Sequence, residues 1–191
     1  QRFGWQRQEG VLMMAPDVVY DALLANERSL DNPEVIDVKP GETVAIRWIA
    51  GSAFMSFFLD LGELEGELLR TDANPVEPIR GSVFQLALAQ RLTLRIQMPE
   101  EPGVFPLLAW GERSNLRCGV VLRSNPTLQV PALAPQTEQW TSSLDFTQDK
   151  QLRAQTPLTP RPADNTIPIA LNGPAPQYRW GLNHRFYPYR D

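Results

Sequence analysis

The apolar residues from Phe84 to Met98 recur at every second position, the period of an extended strand whose side chains point alternately to two faces. Leu92, Leu94, Ile96 and Met98 therefore share a core face, and Arg91, Thr93, Arg95 and Gln97 share a wet one. A helix would scatter Arg91, Arg95 and Gln97 among the leucines. The run is longer than the usual strand of roughly 3–10 residues. It is expected to break near Ala89-Gln90 into two strands that lie in different sheets.

The same reading extends along the chain. Val11-Leu12-Met13-Met14 is a candidate first strand, and Tyr20 to Arg28 reads as a strand closing in a turn at Asn26-Glu27. Asp31-Asn32-Pro33 is a turn signal, and Glu34 to Val38 a short strand. Lys39-Pro40-Gly41-Glu42 fits a type II turn, with Pro presetting φ and Gly accepting φ > 0. Thr43 to Ile49 places Val44, Ile46 and Trp48 inward, and Ala45 and Arg47 outward. Phe54 to Leu61 reads as a strongly apolar strand. Glu67 to Asp72 and Asn74-Pro75-Val76 flank a turn at Asp72-Ala73-Asn74. Val104 to Trp110 and Arg117 to Leu122 complete the set, separated by a turn over Gly111 to Asn115. Short strands, frequent turns and no amphipathic helix of useful length predict an antiparallel β-sandwich over residues 10–124.

From Asn125 the texture changes. Nine prolines between Pro126 and Pro176 each remove a backbone donor and fix φ, so residues 125–177 read as a long Pro-rich extended connection. Val130, Leu133, Trp140, Leu144, Phe146, Ile167 and Ile169 are too frequent for a free linker. Much of this stretch is expected to lie along a protein surface. Beyond it, Trp180-Gly181-Leu182-Asn183-His184-Arg185 echoes Leu23-Leu24-Ala25-Asn26-Glu27-Arg28. Residues 178–191 accordingly read as the first strand of a truncated further domain.

Composition narrows the function. With 191 residues the chain allows one sizeable core and a remainder. A net charge of -4 and the absence of a Lys/Arg cluster argue against nucleic acid or anionic lipid as a partner. No run approaches the ~18 consecutive apolar residues of a membrane span, and Gln1 to Gln8 have no apolar signal-peptide core. Cys118 is the single cysteine. It cannot form an internal disulfide and reads as a small buried residue.

Taken in order, Tyr20 to Arg28, Asn32-Pro33-Glu34-Val35, Phe57 to Leu61, Leu64 to Leu68, Asp72 to Val76 and Leu86 to Leu92 resemble the middle cupredoxin domain of a bacterial, laccase-like multicopper oxidase. Trp180 to Pro188 resembles the opening strand of such an enzyme's third domain, and residues 125–177 match as the crossover between the two. The resemblance implies an all-β, cupredoxin-like Greek-key sandwich in a periplasmic enzyme. That enzyme takes single electrons from phenols, amines or metal ions at one copper and reduces O2 to water at a cluster of others. It implies the first and third cupredoxin domains of the same polypeptide as partners, a small aromatic molecule or metal ion as substrate, and copper held by those neighbours.

The residues agree on the last point. A type 1 copper needs a thiolate and two imidazoles, and a trinuclear cluster needs many more, whereas this chain has one His and one Cys. The expectation is therefore no catalytic, cofactor or metal ligand in this chain. A Ser-His-Asp hydrolase would have to recruit His184 and lacks a Gly-x-Ser-x-Gly turn; zinc ligands and phosphate-cradling glycine loops are absent too. One acidic cluster remains: Asp60, Glu63, Glu65 and Glu67, the three glutamates projecting to one side if extended. By the resemblance, Asp60, Glu63 and Glu65 are candidates for lining the substrate pocket, Glu63 first, where a carboxylate can orient or deprotonate a phenol or bind a metal ion; otherwise they form a solvated loop. The competing reading of the whole chain is a self-contained β-sandwich module that binds carbohydrate or protein. The domain reading predicts exposed Trp and Phe where neighbouring domains would pack.

Overall fold

The structure, a computed structural model, describes residues 5–8, 11–14, 20–175 and 179–186. The strands are β1 (Trp5–Gln8), β2 (Val11–Met14), β3 (Glu34–Asp37), β4 (Thr43–Ile49), β5 (Phe57–Asp60), β6 (Gly66–Thr71), β7 (Asn74–Gly81), β8 (Val83–Leu86), β9 (Arg91–Gln97), β10 (Val104–Gly111) and β11 (Arg117–Arg123). After one short helix, α1 (Thr147–Gln151), come β12 (Leu171–Ala175), β13 (Arg179–Leu182) and β14 (Arg185–Phe186). The chain forms two compact units, residues 1–157 and 158–191.

The first unit contains the sandwich. A five-stranded sheet runs β3-β11-β10-β5-β8 and a four-stranded sheet runs β4-β9-β6-β7. Between them lies the core, with Leu59, Leu68, Leu94, Ile96 and Leu107 fully buried. The central alternating run behaves as its pattern predicts. β8 pairs with β5 in one sheet and β9 with β4 and β6 in the other, while Leu92, Leu94, Ile96 and Met98 are buried. The break falls at Ala87–Gln90, where Ala89 takes φ +61°. The corner is tied to the neighbouring sheet-changing link: Ala50 N–H donates to Gln90 O at 3.0 Å and Ala89 N–H to Ala50 O at 3.2 Å.

Three expectations need correction. Tyr20 to Arg28 is not a strand; it makes a single bridge, Ala25 to Arg28, around the Asn26-Glu27 turn. Its Ala22-Leu23-Leu24-Ala25 run has no period of two, and of those leucines Leu23 is buried and Leu24 exposed. The strand expected from Phe54 begins at Phe57. Ser52 Oγ accepts from the Phe54 and Met55 amides at 3.3 and 2.9 Å, and this local turn competes with the sheet for those donors. Finally, the sandwich is not wholly antiparallel, because β3 pairs in parallel with β11.

The Pro-rich connection lies on the sandwich through residue 155. Gln136 bridges to Leu116 and Ala154 to Val76, and Leu144 is buried. At the free edge of β8, the buried Gln148 side chain acts as a missing strand. Its Oε1 accepts from the Gln85 amide at 2.8 Å and its Nε2 donates to Gln85 O at 2.8 Å. The edge of β7 is covered in turn by Glu77 N–H to Arg153 O at 2.8 Å and Gln155 N–H to Pro75 O at 3.2 Å. The connection thus straps both sheets along one side.

The second unit contains the sheet β12-β13-β14. Asn183 and His184 take φ +49° and +64°, as Asn26 and Glu27 take +48° and +66°. The two copies of the Asn-x-Arg motif therefore make the same left-handed two-residue turn. Of the expected strand over residues 178–191, residue 178 and residues 187–191 lie outside the described residues.

Candidate functional site

Asp60 ends β5, and the sequence Leu61-Gly62-Glu63-Leu64-Glu65 then carries the chain from the five-stranded sheet to β6 in the four-stranded one. A turn is needed there. Gly62 supplies it with φ +63°, and Asp60 Oδ1 accepts from the Gly62 amide at 2.9 Å. Leu61 and Leu64 anchor the loop in the core at 0% and 3% exposure, so Glu63 and Glu65 are left at the surface.

The four acids consequently do not share one face. Glu63 sits in the turn rather than in a strand, which breaks the spacing of two. Glu67 lies on β6 in an ion-pair network with Arg95 and with Arg80, whose Nη2 is 2.8 Å away. The hydrogen bond from Arg95 holds the Glu67 carboxyl below its ordinary range. Glu65 and Glu67 border one shallow basin of about 430 Å3 with Thr43, Arg80, Arg95 and Gln97. Asp60 belongs to the other sheet, where its charge partly offsets the lowering that burial imposes on Arg117. Among the described residues no cluster of three His, Cys, Asp or Glu could hold a metal ion.

Each unit holds one of the two soft donors. Cys118, on β11, is 4% exposed, and burial pushes its thiol up to about 11, so it is a protonated core group at neutral pH. His184 lies exposed in the turn before β14, in the second unit.

Apolar surface is the feature that residue-type motifs did not locate. Phe54, Trp140 and Phe146 are 49%, 65% and 56% exposed in the first unit, and Trp180 is 51% exposed in the second. Exposed Trp and Phe are thus present, as the domain reading expects. A second apolar feature is a groove of about 850 Å3 between the two sheets, opening along β3 and β4. The half-burial of Val44, Ile46 and Trp48 marks its wall. A strand whose inward residues alternate correctly but are not fully covered signals an open edge, and covering is not encoded in one strand's own sequence.

The profile of the family described as multicopper oxidase matches residues 6–121. A multicopper oxidase of Mycobacterium tuberculosis, MmcO, is 26% identical over 173 residues, covering 90% of this chain and 33% of that protein. The chain therefore spans about a third of the length of that relative. Among solved structures, a laccase mutant from Botrytis aclada aligns with a TM-score of 0.62 at 11% identity, over 80% of this chain and 29% of that one. Fet3p, a multicopper oxidase that functions in iron import, aligns with a TM-score of 0.56 at 14% identity, over 88% of this chain and 31% of its own. At such identities the two structures speak to fold alone, and the fold they share with this chain is a cupredoxin-like β-sandwich.

Proposed function

This chain belongs to the multicopper oxidase family, and from that premise we propose that residues 10–124 are the middle, copper-free cupredoxin domain of a three-domain, laccase-like oxidase. Residues 125–177 are the crossover to the third domain, and residues 178–191 its first strand. The parent enzyme oxidises phenols, amines or metal ions one electron at a time and reduces O2 to water, with its coppers in the first and third domains. A periplasmic location belongs to the same reading.

The observation that carries this proposal is the donor set. The family implies copper, yet one imidazole and one thiol do not make a type 1 or trinuclear site. The thiol is a buried, protonated group, and among the described residues no other cluster compensates. The residues present do not fit copper, so no redox step is assigned to them. The task left to the domain is shape: an apolar exterior at Phe54, Trp140 and Phe146 for neighbouring domains to cover, and a surface at the edge of the substrate site. Asp60, Glu63 and Glu65 are the residues proposed for that edge, Glu63 foremost, because the Gly62 turn presents it outward.

The strap over the sandwich favours this reading over a self-contained binding module, whose Pro-rich tail would have no reason to bridge to Leu116 and Val76. Mass and metal analysis of the protein as made by its source tests the proposal. A polypeptide about three times this chain's length, carrying copper and oxidase activity, is expected. A native polypeptide of this chain's own length would overturn it.

A further inference from the structure

The outer face of the four-stranded sheet gathers arginines from three strands. On β9, Leu92 and Leu94 are buried between the sheets, so Arg91, Thr93 and Arg95 project to the opposite side. Thr93 pairs with Arg47 on β4 and with Arg70 on β6, and side chains opposite one another across antiparallel strands share a face. Thr93 is therefore the centre of a cross. Arg47 and Arg70 flank it at one strand spacing of ~4.8 Å each, and Arg91 and Arg95 stand two residues along the strand, at about 7 Å. All four arginines are exposed. No linear run of basic residues marks the patch, because strand pairing alone assembles it.

The four are not equally neutralised. Arg91 has Asp72 at 3.1 Å, and Arg95 is bound to Glu67, which also holds Arg80 at 2.8 Å. Arg70 donates from Nη1 to Ala73 O at 3.1 Å but has no carboxylate partner, and among the described residues Arg47 and the Thr93 hydroxyl make no hydrogen bond or ion pair. Like charges crowded on one sheet face repel, so an anion between them stabilises the arrangement. We propose that Arg47, Thr93 and Arg70 form a binding site for a tetrahedral oxoanion of the phosphate or sulfate class. Two guanidinium forks rooted ~10 Å apart close on one such group from both sides, each matching its parallel N–H donors to a pair of oxygens, while the Thr93 hydroxyl donates from below. Facing forks call for oxygens on both sides of the ligand, which a tetrahedral group has and a single side-chain carboxylate lacks. Arg91 and Arg95 add attraction at longer range.

Titration of the full chain with inorganic phosphate, followed by amide NMR shifts at an ionic strength held constant with chloride, tests the site. Saturable shifts centred on Arg47, Thr93 and Arg70 are expected. Arg47→Ala and Arg70→Ala should each weaken binding about tenfold or more, and Arg47→Lys and Arg70→Lys by less, because an ammonium keeps the charge but loses the fork. Arg161→Ala, at an exposed position of the second unit, should leave the affinity unchanged. Glycerol 3-phosphate titrated in parallel separates the sources: tighter binding than phosphate identifies a monoester, equal or weaker binding the free anion, and either supports the site. Linear, unsaturated shifts spread over the surface overturn the proposal. So does an affinity indifferent to Arg47 and Arg70, or one lost equally on Arg161→Ala. Should an alanine variant fail to fold, the saturation and the location of the shifts in the intact chain decide alone.

Discussion

Asp145 shows how one side chain can tie a strap to a sheet. Its Oδ1 accepts from Gln85 Nε2 at 2.6 Å and from the Thr147 amide at 2.9 Å, and these bonds, Gln85 first, pull its carboxyl from 3.8 to about 2. A depressed carboxylate contributes stability above its unfolded value and loses it as pH falls through the folded one. Urea midpoints of the wild-type chain should therefore decline between about pH 4 and pH 2, and Asp145→Ala should flatten part of that decline; equal slopes for both would refute the coupling. Gly119 illustrates a different constraint. A Cβ there would lie 2.1 Å from Leu107 O, a backbone atom across the β10–β11 ladder that cannot move aside. Gly119→Ala should cost about 1–3 kcal/mol, read as a lower urea midpoint at unchanged slope. Neither role is visible from residue type, since each depends on an atom supplied by another element, Gln85 Nε2 for Asp145 and Leu107 O for Gly119.

At the scale of elements, hydrophobic periodicity was a reliable guide wherever a strand has one wet face. β4, β9 and β10 alternate cleanly, and the Pro40-Gly41 turn forms with Gly41 at φ +68°. It failed where local polar groups outcompete the sheet, as Ser52 does before β5, and it said nothing of which edges stay open. The strap is the clearest case. Pro spacing marks it as extended, but the decision to place Gln148 against Gln85 comes from a contact 63 residues distant in sequence. Gln148→Ala would leave a half-buried amide and carbonyl of an edge strand without partners, at about 1–3 kcal/mol. Native-state hydrogen exchange should show β8 opening first, and unchanged protection of the Gln85 amide would show that the strap does not hold that edge.

For the whole molecule, the family was legible from the order and spacing of unremarkable motifs, and the paucity of copper donors from counting. The candidate acids were less legible, because an assumed extended run is interrupted by Gly62, which sends Asp60 and Glu67 to different sheets. If the acidic loop borders the substrate site, Glu63→Gln in the full-length oxidase should change KM for a cationic or phenolic substrate by about 2–10-fold while leaving kcat nearly constant, the pattern of lost uniform binding. An unaltered KM across substrates would remove Glu63 from that role. The 191-residue chain alone, incubated with copper and dialysed, should hold no stoichiometric metal and show no oxidase turnover; a blue absorption band would contradict the proposed division of labour.

By itself, the order of residues determined the class of fold, the sheet-changing break in the central run and the shortage of soft ligands, because each follows from local period or from composition. Tertiary structure alone decided where the sandwich is strapped and where it gapes, which acids are paired, and that the two Asn-x-Arg turns are conformational twins. Those outcomes depend on partners brought together across long loops, and a partner's identity is not written in the segment that receives it.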